Sequence, residues 1–190
     1  VHAAMQEVSF RADTDRSPED LLQAIRQYLP EDIGALALSP ADPRFHARLS
    51  CTGKCYVYRV WNSELPCVFE RKYVYQLPEE LYVPAMEQAA ADLLGTRDFR
   101  AFCGNKHMKK STVRTLRSID IVRKGPELQF RFTGDGFLYH MVRILTGTLL
   151  EVGLGRRPAD SMPALLESLD RSQAGFLAPP QGLFLESVAY

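Results

Sequence analysis

The segment from Phe137 to Leu154 places the strongest constraint on how this chain folds. It is apolar on nearly every side of a helix, which predicts a largely buried helix from Phe137 to about Val152. His140, Arg143 and Glu151 interrupt the segment, which argues against a membrane span. A chain of 190 residues can build the core that this helix requires, as one large domain or two small intertwined ones.

Arg143 is the most informative position in that helix, because it stands within Met141-Val142-Arg143-Ile144-Leu145. A guanidinium group there must reach water or be matched by an acid, since an unpaired buried charge costs several kcal/mol. Two hypotheses follow: an ion pair that stabilises the fold, or a pairing that serves function. The candidate acids for a structural ion pair are Asp98, Asp120, Asp135 and Glu151.

Hydrophobic periodicity and turn residues predict an α+β fold with helices packed on one face of a sheet. The chain lacks the Gly-rich fingerprint of a Rossmann fold. Predicted helices are Ser17 to Tyr28, with Ser17 as N-cap, Val83 to Leu94, and Ser161 to Leu169. Predicted strands are Met5 to Phe10, Ile33 to Leu38, Lys54 to Asn62, a hairpin of Thr112 to Arg123 with Leu128 to Thr133, and Leu183 to Tyr190.

Composition excludes several classes of function. The 23 Lys and Arg residues balance 23 Asp and Glu residues, so net charge alone does not indicate a nucleic-acid partner, although basic residues cluster locally. The four cysteines and four histidines lack the spacing of metal ligands, and there is no P-loop. We expect no metal, nucleotide or organic cofactor, and a cytoplasmic protein without a membrane partner.

Aromatic residues mark two further places. Tyr56 and Tyr58 stand two apart on one strand and point to the same face, where one of them is expected to be a core or interface residue. Phe137 and Tyr139, at the start of the predicted buried helix, are open to the same two interpretations, a core or interface residue or a functional one. Gly134-Asp135-Gly136 reads as a turn in which Asp135 caps that helix.

Several segments together resemble the TruA family of tRNA pseudouridine synthases. Gly136 to Arg143, followed by Gly147 and Glu151-Val152-Gly153, resembles the C-terminal signature of that family. Phe45-His46-Ala47-Arg48 with Tyr56 downstream is similar to another family segment and its active-site tyrosine. Each piece is weak alone, but their order and spacing match along nearly the whole chain.

The resemblance implies the pseudouridine synthase fold, a mostly antiparallel sheet built from two ferredoxin-like halves. Residues 1–43 would be the remainder of the N-terminal half, and residues 44–190 the C-terminal half. Val1-His2-Ala3 resembles the end of a Gly-Arg-Thr-Asp-Ala-Gly-Val-His-Ala motif, whose catalytic aspartate would lie just ahead of Val1.

The implied activity is isomerisation of uridine to pseudouridine in the anticodon arm of tRNA by a homodimer without cofactors. Carried over from the family, Arg143 would pair with the aspartate and Tyr56 would stack on the uracil. Further residues expected to bind substrate are Leu183, Phe137 and His140; those expected to contact RNA are His2, Arg44, Arg48, Lys54, Lys109, Lys110 and Arg114. The alternative is a non-catalytic RNA-binding or dimerisation fragment.

Overall fold

The computed structural model describes all residues from Val1 to Tyr190. They form two compact units, one of Val1–Gln6 with Cys51–Tyr190 and one of Glu7–Ser50. The assignment of residues 1–43 and 44–190 to the two halves of the family fold stays a prediction.

The larger unit is built on one seven-stranded sheet. The strand bounds are β1 His2–Ala3, β2 Gly53–Trp61, β3 Tyr75–Gln76, β4 Gly95–Asp98, β5 Val113–Lys124, β6 Glu127–Gly134 and β7 Leu183–Ala189. The strand order is β1-β7-β2-β6-β5-β4, and β3 pairs with β2 off this path. All pairings are antiparallel except the short parallel pairs of β1 with β7 and β3 with β2. The predicted mostly antiparallel sheet is confirmed.

Three helices of the larger unit share one core with the sheet. Their bounds are α2 Val83–Asp92, α3 Met141–Gly153 and α4 Met162–Ser168. Leu128, Phe130 and Phe132 alternate along β6 and are all fully buried, so one face of the sheet carries the core. The predicted burial of α3 is confirmed, since its apolar side chains are covered throughout. None of the helices is both long and apolar enough to cross a bilayer.

The start of α3 differs from the prediction. The helix begins at Met141 instead of Phe137, because His140 takes a left-handed conformation (φ 63°) that cannot continue a helix toward its N-terminus. Asp135 does not cap α3, so that prediction is wrong. Its carboxylate instead accepts a hydrogen bond from the Thr115 N–H (3.0 Å), at the edge of the β5–β6 hairpin.

The smaller unit contains one helix, α1 Pro18–Tyr28, with Ser17 as its N-cap as predicted. The strand predicted at Ile33 to Leu38 is wrong. The Ala35 and Leu36 carbonyls there accept hydrogen bonds from the Arg26 side chain instead of a neighbouring strand (2.8 and 3.0 Å). The strand predicted at Met5 to Phe10 is also wrong, because pairing with β7 ends at Ala4.

Candidate active site around Arg143

Arg143 lies half-buried on α3 and is held by the backbone of the segment before β7. Its Nε donates to the Ala178 carbonyl oxygen (2.6 Å), and the Ala178 N–H donates back to the Arg143 carbonyl oxygen (3.2 Å). Burial lowers the pKa of Arg143, and the nearby Tyr58 and Tyr139 partly offset this. The guanidinium is therefore fixed in direction while it is partly removed from water.

The structure contains no ion pair between Arg143 and any acid of the chain. The hypothesis of a structural ion pair is wrong, because each candidate acid is engaged elsewhere. Their donors are the Thr112 hydroxyl for Asp98, the Ser118 hydroxyl for Asp120, the Thr115 N–H for Asp135, and Arg157 with the Phe176 N–H for Glu151. Arg143 thus presents a positive charge that this chain does not neutralise.

The segment that anchors Arg143 is packed tightly against α3. A Cβ at Gly147 would overlap the Phe176 carbonyl oxygen, so only glycine allows this approach. Tyr58 adds a second contact, since its hydroxyl donates to the Pro179 carbonyl oxygen (2.6 Å). Tyr58 is fully buried, and this burial raises its pKa. It supports the Arg143 anchor, a role that sequence reasoning missed.

Tyr56 lies two residues from Tyr58 on β2 and faces the same side of the sheet. Its half-buried ring meets Phe137 edge to face, with 5.1 Å between ring centroids. Burial raises the pKa of Tyr56, and Cys51 adds to the shift. Tyr56 and Phe137 are thus in contact on the face of the sheet that also carries Tyr58.

His140 lies beside Arg143 at the start of α3. Burial lowers the pKa of His140 first, and the positive charges of Arg143 and Arg171 lower it further, which favours the neutral imidazole. Leu183 is opposite Tyr58 in the β2–β7 ladder and is buried. The residues expected to bind substrate therefore share one region of the larger unit.

Comparison with known proteins identifies the family. The family model for tRNA pseudouridine synthase matches residues 89–190, which include Arg143. The chain belongs to the tRNA pseudouridine synthase family. Over all 190 residues it is 40% identical to tRNA pseudouridine synthase A 2 of Clostridium tetani and 44% identical to tRNA pseudouridine synthase A of Anoxybacillus flavithermus. It spans 77% of the length of each of these relatives.

The residues expected to contact RNA lie in several parts of this pseudouridine synthase family member. His2 lies on β1, where its ring packs between Tyr73 and Phe184, with centroids 4.8 Å from each. Lys54 pairs with Gly134 at the start of β2, whereas Lys109, Lys110 and Arg114 lie in and after the loop before β5. Arg44 and Arg48 belong to the smaller unit. Their contacts with RNA stay predictions.

Proposed function

We propose that this chain isomerises uridine to pseudouridine in the anticodon arm of tRNA, with Arg143 and Tyr56 in the reaction site. Membership of the family supports the activity. The observation that supports the roles of Arg143 and Tyr56 is the guanidinium of Arg143, which no acid of the chain neutralises. The Ala178 carbonyl oxygen fixes its direction, and it lies on the same side of the sheet as Tyr56. Such a group favours an ionised carboxylate beside it.

The parallel pairing of β1 supports a carboxylate supplied from ahead of Val1. His2 is opposite Phe184, so Val1 is level with Leu183, and a residue ahead of Val1 would lie toward the 3₁₀ helix Pro180–Gly182 that precedes β7. Pro180 directly follows the Ala178 and Pro179 carbonyls that hold Arg143 and Tyr58. The aspartate of the family motif stands three places ahead of its valine.

In the reaction, the bond between uracil N1 and the sugar breaks, the uracil turns, and C5 joins the same sugar carbon. The C5 proton goes to solvent and N1 gains a proton. The aspartate would attack or stabilise the ribosyl centre, and Arg143 would keep it deprotonated and oriented. The Tyr56 ring would replace part of the stacking that the uracil loses when it leaves the RNA, about 1–3 kcal/mol.

The test uses tRNA labelled with tritium at uridine C5, because C5 loses its hydrogen only when the new bond forms. The protein carrying the preceding aspartate is expected to release tritium, and Arg143→Ala to stop release while still binding tRNA. Full activity in Arg143→Ala would remove Arg143 from the mechanism. Binding of tRNA without any release by the unmodified protein would instead support the RNA-binding alternative.

A further inference from the structure

A groove lies on the larger unit between three short segments that the reaction does not use. The first is the 3₁₀ helix Arg100–Phe102, the second is the loop from Gly104 to His107, and the third is the segment from Leu169 to Ser172, which enters the 3₁₀ helix Arg171–Gln173. Two cavities of about 490 and 500 Å³ occupy it, and both are lined by Asn105 and Lys106. We call this continuous depression the Lys106 groove.

The walls of the Lys106 groove carry an excess of positive charge. Arg100, Lys106 and Arg171 line it, and none of the three forms an ion pair with a carboxylate. The one acid, Asp170, accepts hydrogen bonds from the Ser172 N–H (2.9 Å) and hydroxyl (2.7 Å). Three cations against one already engaged acid make a surface suited to phosphate groups.

An aromatic ring stands at the loop side of the groove. Tyr139 is 61% exposed, but contacts on one side of the residue hold it in place. Its ring stacks on His140 with 3.7 Å between centroids, and its carbonyl accepts a hydrogen bond from the Gly104 N–H (2.8 Å). A large exposed ring held in one orientation offers its other side for stacking at little cost in side-chain entropy.

The groove is continuous with the site around Arg143. Tyr139, which lines the groove, stacks on His140, and a Cβ at Gly104 on the groove loop would meet the His140 ring. His140 immediately precedes α3, and Arg143 lies three residues further along that helix. A single strand of RNA lying in the groove would therefore end beside the proposed reaction site. Basic side chains along a channel with an aromatic platform are the combination by which proteins bind single-stranded nucleic acid.

We propose that the Lys106 groove binds the single-stranded segment of tRNA next to the reacting uridine. Tyr139 stacks on a neighbouring base, while Arg100, Lys106 and Arg171 contact backbone phosphates. This inference rests on the proposed function, because it assigns the path of the same substrate. It adds these four residues to those expected to contact the substrate. They would hold the RNA in position and take no part in the chemical step.

The charge component is tested with the double variant Arg100→Gln with Lys106→Gln. The matched control is Lys124→Gln, at the far end of the 12-residue strand β5. Affinity for tRNA is measured at several salt concentrations. The double variant is expected to reduce the slope of log K against log salt by about 1.4, because two phosphate contacts on a single strand are lost at about 0.7 each, and the control to leave it unchanged.

The stacking component is tested with Tyr139→Ser and Tyr139→Phe. The serine variant is expected to bind tRNA about fivefold or more weakly and to raise KM with little change in kcat, whereas the phenylalanine variant retains affinity. Tyr82→Ser is the control, because Tyr82 is similarly exposed (66%) and lies elsewhere, at the start of α2. Thermal melting of each variant checks that the fold is intact.

The outcomes separate this proposal from the proposed function. If the unmodified protein binds and modifies tRNA while the groove variants behave like their controls, the groove proposal is wrong and the function stands. A fall in kcat at unchanged KM would also overturn it, since it would place these residues in the chemical step. If the unmodified protein neither binds nor modifies tRNA, the proposed function fails and the groove assignment fails with it.

Discussion

Two half-buried arginines of the larger unit stand in opposite electrostatic situations. Arg59, on the face of the sheet away from the helices, donates from Nε and Nη2 to both oxygens of Glu127 at 2.7 Å. It also pairs with Glu70 and lies over the Phe184 ring, 5.7 Å from its centroid. Arg143, on the helix-covered face, has a backbone carbonyl as its hydrogen-bond acceptor and no acid.

This difference is the one expected between a cation that stabilises the fold, Arg59, and a cation with the role proposed for Arg143 in the reaction. The chain provides Arg59 with carboxylates, so that the desolvation of each charge is offset within the fold. For Arg143 the chain provides a carbonyl acceptor that fixes the direction of the guanidinium but does not neutralise its charge. An anion from outside this chain would be needed to do so. Partial burial alone would not have distinguished the two residues, whereas the identity of their partners does.

The largest expected effect comes from making the same substitution at both sites. Arg143→Met is expected to lower kcat for pseudouridine formation by at least about 100-fold, because a charge positioned for the transition state is lost. Arg59→Met should leave kcat per folded molecule unchanged. Tritium release, normalised to the folded fraction from circular dichroism, measures both. Equal losses at the two sites would break the comparison.

The reverse result is expected for stability. Arg59→Met should lower the free energy of unfolding by about 2–3 kcal/mol, because it leaves the largely buried Glu127 carboxylate without its partner. Adding Glu127→Leu should recover much of this loss, since both charges are then absent. Urea denaturation measures each value. A loss below about 0.5 kcal/mol would class the pair with ordinary surface ion pairs and weaken the contrast with Arg143.

Tyr58→Phe probes the Arg143 anchor with a smaller effect. The change removes the hydroxyl that donates to Pro179 and leaves that carbonyl oxygen without this donor. We expect the free energy of unfolding to fall by about 1–2 kcal/mol. A modest fall in kcat should accompany it, because the neighbouring Ala178 carbonyl aims Arg143. An unchanged kcat with the expected stability loss would show that Tyr58 supports the core but not the site.

The sequence predicted the elements that are specified by residues within the element itself. The Ser17 cap, the β5–β6 hairpin and the buried α3 each follow from local signals, and the fold class followed from them. Strand β4 was missed because Gly95-Thr96-Arg97-Asp98 has no apolar alternation and exists only through its pairing with β5. The Met5 to Phe10 alternation was misread because a strand needs a partner edge, and sequence does not show where one ends.

The site was predictable in part for the same reason. Arg143 was conspicuous because a charge in an apolar helix is rare, whereas the Ala178 carbonyl that holds it is a backbone group that any residue provides. The left-handed His140 is equally invisible in the residue pattern, since that conformation is normally a glycine position. Sequence therefore showed which charge needed an explanation, and only the fold showed that no acid of the chain supplies one.

The smallest predicted effect concerns pH and again contrasts the two sites. Hydrogen bonding to Arg59 is the main reason that the pKa of Glu127 falls below its ordinary value of 4.5. A carboxyl whose pKa is lower in the folded state stabilises the fold above its unfolded value and loses that contribution as pH falls through the folded value. The free energy of unfolding should therefore decline as pH drops below 4.5.

Urea denaturation at a series of pH values below neutrality measures this decline. Glu127→Gln should make the acid limb shallower than in the unmodified protein, because the titrating group is gone. Arg59→Met should do the same, because it removes the main cause of the lowered pKa. Arg143→Met should leave the limb as steep as before, since no carboxylate of the chain is paired with Arg143. A shallower limb in Arg143→Met would reveal an acid partner within the chain and contradict the role proposed for its charge.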